Sequence, residues 1–211
     1  MADGGEEKRA AAEAAAELVV DGSTVGLGTG STVAFLLPAL AARGLSLRCV
    51  ATSTATEVAA RALGLEVKPF ETLDRLDIAI DGCDQVDPER WLVKGGGGAH
   101  TREKVVAAAA DRFVVIASSE KVVDRIRPPV PIELLAFGAA ATLRALGSAS
   151  LRSAPATPDG GLIADYSGPI EDLRELSARL AGTPGVVDHG LFAPELVSDV
   201  LVARGGTVER L

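Results

Sequence analysis

The chain has 211 residues, of which 47% are hydrophobic and 24% charged, with a formal net charge of -8 at pH 7. This length allows one sizeable core, or a domain of about 130 residues with a smaller companion. The acidic balance argues against a nucleic-acid surface, which needs concentrated Lys and Arg. No apolar run approaches the ~20 residues of a membrane helix, and the acidic start does not resemble a signal peptide, so we expect a cytoplasmic protein.

Helix and strand patterns alternate through the first half of the chain. Helix formers run from 6 to 20. Strands are predicted at 24–27, 47–52, 66–68, 76–80, 91–93 and 113–117, and helices at 31–43, 55–63 and 102–110. Strands that alternate with helices predict a mainly parallel sheet covered on both faces. The expected fold class is therefore α/β, with a three-layer α/β/α Rossmann-like sheet.

Proline clusters at 128, 129 and 131 and interrupts this alternation. Beyond it, helices are predicted at 134–146 and 170–180, and strands at 151–152, 162–165, 185–187 and 200–202. We expect a catalytic α/β domain at 1–127 and 200–211, because the last strand can return to the large sheet. A small α+β domain at 128–199 is predicted to supply contacts between subunits.

A glycine-rich segment, Gly28-Thr29-Gly30-Ser31-Thr32, joins the strand 24–27 to the following helix. The segment offers unhindered amides, hydroxyl groups and the positive end of a helix. Together these predict an anion cradle, and phosphate is the anion expected to bind there. Ser31 or Thr32 is suited to cap the helix. The segment lacks the Gly-Lys-Ser/Thr of a Walker motif, and a tight strand-to-helix turn explains its glycines equally well.

Two carboxylates, Asp81 and Asp84, follow the apolar strand 76–80. A buried strand should deliver both into a partly desolvated crevice. There we expect one to exchange a proton with a sugar oxygen while the other stays ionised and orients a hydroxyl. An Asp-Gly turn that satisfies its own backbone is the ordinary alternative.

Lys94 follows the strand 91–93 and precedes four glycines, Gly95 to Gly98. Such a run costs backbone entropy, so something must approach this backbone closely. A lysine beside it can neutralise a developing oxyanion. Glu103, in the first turn of the next helix, suits the abstraction of a proton next to a carbonyl. A flexible solvent loop, and a glutamate that only complements the helix dipole, are the alternatives.

Metal-ligand spacings are not found among the cysteines and histidines. Cys49 and Cys83 lie in separate apolar stretches, and His100 and His189 are equally isolated. No pair has a spacing such as CxxC or HExxH, so neither a metal site nor a disulfide framework is predicted.

Four ordered motifs resemble those of the ribose-5-phosphate isomerase type A family: Gly-Thr-Gly-Ser-Thr at 28–32, Asp-Gly-Cys-Asp at 81–84, Lys-Gly-Gly-Gly at 94–97 and Thr-Arg-Glu-Lys at 101–104. Further matches at 117–121, 129–133, 184–187 and 190–192 extend the resemblance over nearly the whole chain. It implies interconversion of D-ribose 5-phosphate and D-ribulose 5-phosphate through an enediolate, in the non-oxidative pentose phosphate pathway. It also implies a homodimer or homotetramer that needs no cofactor or metal.

The resemblance assigns roles to individual residues. Glu103 would shuttle the proton between C1 and C2, Lys94 would stabilise the enediolate oxygen, and Asp81 with Asp84 would handle ring opening and hydroxyl proton transfer. The loop from Thr29 to Thr32, helped by Lys121 and Lys8, would take the phosphate. The full predicted substrate-binding set is Thr29, Gly30, Ser31, Thr32, Asp81, Gly82, Cys83, Asp84, Lys94, Gly95, Gly96, Gly97 and Lys121.

Three residues depart from the family pattern: Cys83, Gln85 and His100 stand where alanine, glutamate and an apolar residue are more usual. Gln85 removes a negative charge near the aspartates and is expected to alter the pH optimum. Two other functions stay open. A sugar-phosphate sensor would bind without turnover and would not need Glu103 and Lys94 together. A relative of the acyl-CoA transferases would need a glutamate nucleophile in its own setting and normally a longer chain.

Overall fold

The computed structural model describes residues 4–73 and 75–211. Its helices are α1 Gly4–Ala16, α2 Val33–Ala42, α3 Thr54–Ala62, α4 His100–Ala108, α5 Ala139–Leu146 and α6 Leu173–Ala181. Its strands are β1 Thr24–Leu27, β2 Arg48–Ala51, β3 Glu66–Val67, β4 Ile78–Gly82, β5 Gln85–Val86, β6 Leu92–Val93, β7 Phe113–Ser118, β8 Val130–Leu134, β9 Ala149–Leu151, β10 Leu162–Tyr166, β11 Val186–His189, β12 Leu191–Phe192, β13 Asp199–Arg204 and β14 Thr207–Arg210.

The described residues form two compact units. Unit 1 is drawn from Met1–Cys83, Arg102–Val122 and Pro194–Leu211, and unit 2 from Asp84–Thr101 and Val123–Ala193. Compared with the predicted domains, residues 84–101 and 123–127 lie in unit 2 and residues 194–199 in unit 1. The division into a catalytic domain at 1–127 and 200–211 and a small domain at 128–199 stays a prediction.

Unit 1 is built on a seven-stranded sheet in the order β14-β13-β7-β4-β1-β2-β3. All neighbours are parallel except β14, which runs antiparallel to β13. The α/β class is therefore confirmed, and the predicted last strand does return to the large sheet, as β13. Apolar side chains on every central strand, together with the alanine face of α1, form its core.

Helices cover both faces of this sheet, as residue alternation along β1 shows. Val25 and Leu27 share a buried cluster with α1 and α2. Gly26 lies between them, and a Cβ atom added there would come within 2.5 Å of the Val106 side chain of α4. Because neighbouring strand residues face opposite sides, α4 lies on the other face, and three layers result.

Unit 2 contains a four-stranded antiparallel sheet in the order β11-β8-β10-β9. The strand β8 is missing from the predicted elements, which placed a helix from 134, because Pro129 and Pro131 weaken the strand pattern. β11 pairs with β8 only as far as Ile132, so Pro131 needs no N–H toward that strand. Its carbonyl accepts the Gly190 N–H at 2.7 Å.

A second, three-stranded antiparallel sheet of unit 2 joins β12, β6 and β5. The prediction had placed the strand at 91–93 in the large parallel sheet, and this part is wrong. Leu92 and Val93 pair with the remote segment Leu191–Phe192 and with the nearby β5. Lys94 therefore follows a strand of this small sheet, not one of the parallel strands.

The two faces of the four-stranded sheet differ in character. Ile132, Leu134 and Ala164 share a buried apolar cluster with Leu176 and Leu180 of α6. The alternate positions on β8 and β10 carry the neighbouring pair Glu133 and Ile163, which face the other side. That second face holds polar groups discussed below.

Candidate active site

Three neighbouring strands of unit 1 bring predicted site residues to one edge of the sheet. β7, β4 and β1 are adjacent and parallel, so their carboxyl ends meet. The segment 28–32 follows β1, Asp81 and Gly82 end β4, and Lys121 lies in a short 3-10 helix after β7. Such an edge is where ligands bind in parallel α/β sheets.

Asp81 is almost completely buried, with 3% of its surface exposed, whereas Asp84 is exposed, so the predicted desolvation of both carboxylates is wrong for Asp84. The Oδ1 atom of Asp81 accepts hydrogen bonds from the backbone N–H groups of Thr29 at 3.0 Å and Gly82 at 2.7 Å. A Cβ atom at residue 28 would lie 1.9 Å from both Cγ and Oδ1 of Asp81. Gly28 is thus required by the aspartate carboxylate, a reason that differs from the predicted phosphate cradle.

A threonine cluster that sequence reasoning missed lies beside this turn. The Thr29 hydroxyl is 2.8 Å from the Thr52 hydroxyl and 3.3 Å from that of Thr56. The Thr56 hydroxyl also donates to the Gly28 carbonyl at 2.9 Å. The cluster fixes the Thr29 side chain. The only feature of the sequence that hints at this cluster is Ser53, the N-cap residue of α3, whose hydroxyl accepts the Thr56 N–H at 3.2 Å.

The rest of the predicted cradle is open at the surface. Gly30 and Ser31 are exposed, and Gly30 adopts a left-handed φ of 112°. The prediction that Ser31 or Thr32 caps α2 is wrong. Thr32 occupies the cap position with helical angles, φ -76° and ψ -41°, and makes no side-chain cap hydrogen bond. An extended conformation is what normally turns a cap hydroxyl toward the first amides.

Glu103 lies in the first turn of α4, as predicted, and is only 6% exposed. A glutamate that merely complements a helix dipole has no need to leave water. Burial of an ionisable carboxyl costs free energy that hydrogen bonds or opposite charges must offset, and an exposed glutamate at a helix start would avoid that cost. This placement favours the functional interpretation of Glu103 over the dipole alternative.

Glu7 of α1 ties the end of β7 in place. It accepts hydrogen bonds from the N–H and the hydroxyl of Ser119, both at 2.8 Å, and from the Gly205 N–H at 3.3 Å. The Ser119 hydroxyl bond is the main cause that lowers the pKa of Glu7 below its ordinary value. This contact orients the Ser119–Lys121 turn, where the Lys121 ammonium lies 3.6 Å from Glu120.

Lys94 of unit 2 is 3% exposed. Its backbone N–H donates to the Gly190 carbonyl at 2.8 Å, which holds the end of β6. Its ammonium group lies 5.6 Å from the centroid of the Phe192 ring. A cation beside an aromatic face and away from water keeps a strong local field, as stabilisation of an oxyanion requires.

The glycine loop after Lys94 is held by close contacts within unit 2. The Gly96 N–H donates to Asp84 Oδ2 at 2.7 Å, and a Cβ atom on Gly96 would lie 2.9 Å from Asp84 Oδ1. A Cβ atom on Gly95, whose φ is 97°, would lie 2.5 Å from the His100 ring. Asp84 and His100 therefore account for part of the close approach that was predicted for this backbone. A flexible solvent loop does not fit these contacts.

Arg152, which the sequence did not single out, binds the same loop. Its guanidinium donates to the carbonyls of Gly95 at 3.0 Å and Gly96 at 2.9 Å. It also forms two hydrogen bonds with the Asp165 carboxylate, each at 2.6 Å.

Nothing in the described ranges 4–73 and 75–211 groups three or more His, Cys, Asp or Glu side chains in a way that could hold a metal ion. Burial raises the pKa of Cys49 to about 12, so that thiol stays protonated. Across the same ranges, the helices are too short or too polar to cross a membrane.

A family model, a relative of similar sequence and two solved structures all point to the same family. Residues 48–206 match the family model of ribose 5-phosphate isomerase A (phosphoriboisomerase A). Ribose-5-phosphate isomerase A of Roseiflexus sp. strain RS-1 is 46% identical, over 96% of this chain and 94% of the relative. Ribose 5 phosphate isomerase A from Neisseria gonorrhoeae superimposes with a TM-score of 0.95 and 31% identity, over 100% of this chain and 98% of that one. A D-ribose-5-phosphate isomerase solved with phospho-erythronic acid gives a TM-score of 0.94 at 32% identity, with 99% of each chain covered.

Proposed function

The chain belongs to the ribose 5-phosphate isomerase A family and is an aldose–ketose isomerase, and we propose how its residues divide the interconversion of D-ribose 5-phosphate and D-ribulose 5-phosphate. The observation that carries the proposal is the burial of three ionisable side chains, Asp81, Lys94 and Glu103, each at most 6% exposed. Burial alone also occurs in structural ion pairs, but these three groups additionally coincide with the motifs at 81–84, 94–97 and 101–104, and buried ionisable groups in such a setting are candidates for chemistry.

Glu103 is proposed as the base. It takes the proton from C2 of the open-chain aldose, the C–H electrons form the C1–C2 double bond, and the C1 carbonyl oxygen becomes negative. Glu103 then returns the proton to C1 while the hydroxyl proton of O2 passes to O1, so that C2 becomes the ketone and C1 carries the hydroxyl group. A positioned carboxylate contributes about 100-fold to 10,000-fold in such steps.

Lys94 is proposed to stabilise the enediolate oxygen without giving up a proton. Its burial and the Phe192 face keep its charge poorly screened by water, which strengthens its action on a developing negative charge.

Asp81 and Asp84 are proposed to carry protons between hydroxyl groups, in ring opening and in the transfer from O2 to O1. Both are oriented by backbone amides, Asp81 by Thr29 and Gly82 and Asp84 by Gly96. An oriented carboxylate can accept a sugar hydroxyl without first reorganising.

The phosphate is proposed to bind at the segment Thr29 to Thr32, with Lys121 and Lys8. The exposure of Gly30 and Ser31 at the surface supports this assignment. Gly82, Cys83 and the glycines Gly95 to Gly97 are proposed as the remaining contacts with the sugar.

We further propose a cytoplasmic homodimer or homotetramer in which residues 128–199 supply contacts between subunits. Unit 2 carries large exposed apolar side chains in this range, with Phe137 92% and Leu135 52% exposed. Such groups are common where a surface meets another subunit.

The first experiment compares ribulose 5-phosphate formation by wild type, Glu103→Gln and the exposed control Glu13→Gln, all in excess EDTA. We expect turnover by the wild type and the control, and a kcat at least roughly 100-fold lower for Glu103→Gln, because the amide cannot accept the proton. Titration with ribose 5-phosphate should show that this variant still binds.

Near-normal turnover of Glu103→Gln would remove that residue from the role of base. Saturable binding of ribose 5-phosphate by a wild type that shows no turnover would instead favour the sugar-phosphate sensor.

A further inference from the structure

The Arg152 guanidinium makes four hydrogen bonds within unit 2, two to the Asp165 carboxylate and one each to the carbonyls of Gly95 and Gly96. Arg152 follows β9 directly, and its backbone N–H donates to Ile163 at 2.8 Å. Asp165 lies two residues further along β10, on the same face as Ile163. The guanidinium is therefore held by Asp165, its diagonal neighbour in the sheet, in addition to its bonds to the loop.

The bonds to the two carbonyls also determine where two amides point. In a trans peptide the C=O and the following N–H point in opposite directions. Because the carbonyls of Gly95 and Gly96 are turned toward Arg152, the N–H groups of Gly96 and Gly97 are turned away from it. The Gly96 N–H accordingly reaches Asp84 at 2.7 Å. A Cβ atom on Gly97 would meet nothing within 4 Å, so that residue borders open space.

We infer that Arg152 is a positioning residue for the isomerase reaction: it orients the Gly96 amide to hold Asp84 and the Gly97 amide to meet the substrate. This inference rests on the proposed function, because it takes Asp84 and the glycine loop as parts of the reacting site. Arg152 itself does not act on the sugar.

The charges around the guanidinium suit this task. The hydrogen bonds that Arg152 donates to Asp165 are the largest cause that raises the pKa of Arg152, and the negative charge of Asp84 adds to it. Arg152 therefore stays cationic while it bridges the Asp165 carboxylate and the glycine loop. A lysine could not replace it, because a single ammonium cannot span two carbonyls and a carboxylate in one plane.

The same face of the sheet supports the rest of the segment up to α4. Ile163 would lie 3.3 Å from a Cβ atom on Gly98. Its cross-strand neighbour Glu133, 2% exposed, accepts hydrogen bonds from the hydroxyls of Thr101 and Thr157. Arg152, Ile163 and Glu133 thus form a row across three strands or strand ends beneath residues 95–101. Within this row, Arg152 is the member that bonds the loop carbonyls.

The test compares wild type with Arg152→Ala and with Arg179→Ala. Arg179 lies in the same unit and donates to the Tyr166 hydroxyl at 2.7 Å, so it controls for the loss of any arginine in this region. We expect kcat of Arg152→Ala to fall roughly 10-fold to 100-fold, the scale of a misplaced catalytic group, with KM for ribose 5-phosphate changed less than about 3-fold. Added guanidinium chloride, below denaturing concentrations, should restore part of kcat in Arg152→Ala only.

A readout independent of turnover is the amide NMR signal of Gly96 and Gly97. We expect both signals to move in Arg152→Ala and to stay in place in Arg179→Ala. If Arg152→Ala does not fold, Arg152→Lys serves instead, with the same loss of kcat expected because it lacks the planar fork.

A kcat within twofold of wild type, no recovery with guanidinium, or unmoved glycine signals would each overturn the inference while leaving the isomerase assignment intact. A wild type without isomerase activity would overturn the proposed function, and the glycine signals would then decide alone whether Arg152 orients these amides.

Discussion

At the scale of single residues, the buried carboxylate of Asp81 depends on the side chain that residue 28 lacks. Gly28 leaves the space that the carboxylate fills, since a Cβ atom there would lie 1.9 Å from its Cγ atom. Two backbone N–H groups then fix the position of Oδ1. One glycine therefore controls the orientation of a proposed proton carrier.

Replacement of Gly28 by alanine should displace the Asp81 carboxylate. We expect the substitution to destabilise the fold by about 1–3 kcal/mol, as for other overpacked sites. We also expect kcat to fall by roughly 10-fold or more, because the Asp81 carboxylate is no longer held in its orientation. Thermal unfolding and steady-state isomerase assays measure the two effects.

Gly4→Ala is a matched control, because a Cβ atom on Gly4 meets nothing within 4 Å. If Gly28→Ala behaves like Gly4→Ala in both assays, the explanation of Gly28 by Asp81 is wrong.

At the scale of elements, the Glu7 carboxylate of α1 binds the turn that follows β7, in addition to the apolar packing of α1 in the core of unit 1. The hydrogen bonds from Ser119 lower the pKa of Glu7 below the ordinary value of 4.5. A group with a lowered pKa in the folded state stabilises the protein above its unfolded-state pKa, and this contribution is lost as pH falls through the folded-state pKa.

Glu7→Gln should therefore lower the Tm at pH 7, and the gap from wild type should shrink as the pH falls below about 4.5, where the unfolded-state carboxyl begins to protonate. Thermal unfolding of both proteins from pH 7 to about pH 3 tests this expectation. The neighbouring Glu6→Gln, at an exposed position, should track the wild type. A gap that stays constant over the whole range would contradict the assigned role of Glu7.

The elements that could be predicted from sequence are those whose pattern is local. The parallel strands of unit 1 are short apolar runs that end in glycine or polar residues, and the predicted positions agree with β1, β2, β4 and β7 to within a few residues. The strand β6 is predicted at 91–93 but assigned to the wrong sheet, and β8 is not predicted, because both depend on remote partners. Val93 pairs with Leu191, and Ile132 with Ala164. No local pattern reports such pairings.

The same distinction applies to the candidate site. Asp81, Lys94 and Glu103 stand out by residue type beside glycines or a helix start. Arg152 does not, because its role depends on hydrogen bonds to carbonyls that lie 57 and 56 residues earlier in the chain. Thr52 and Thr56 likewise gain a role only through Thr29, 23 and 27 residues away.

At the scale of the whole molecule, the exposed side chain of Phe137 makes the proposed association of subunits testable. Phe137 is 92% exposed. Phe137→Ser should shift the mass of the native protein toward the monomer without lowering its solubility, because it removes exposed apolar area. Sedimentation equilibrium gives the mass of the wild type and the variant. A variant that assembles like the wild type would place the subunit contact elsewhere.

The order of strands in the large sheet has a consequence for protein synthesis. β7 is buried along its whole length and has β4 on one side and β13 on the other. A ribosome completes β7 long before Asp199–Arg204 leaves its exit tunnel, and all of residues 123–193 are made in between. During that interval one edge of β7 has backbone groups without their final partner, and such edges attract strands of other nascent chains. The sheet of a growing chain is thus completed only late in translation, when β13 pairs with β7.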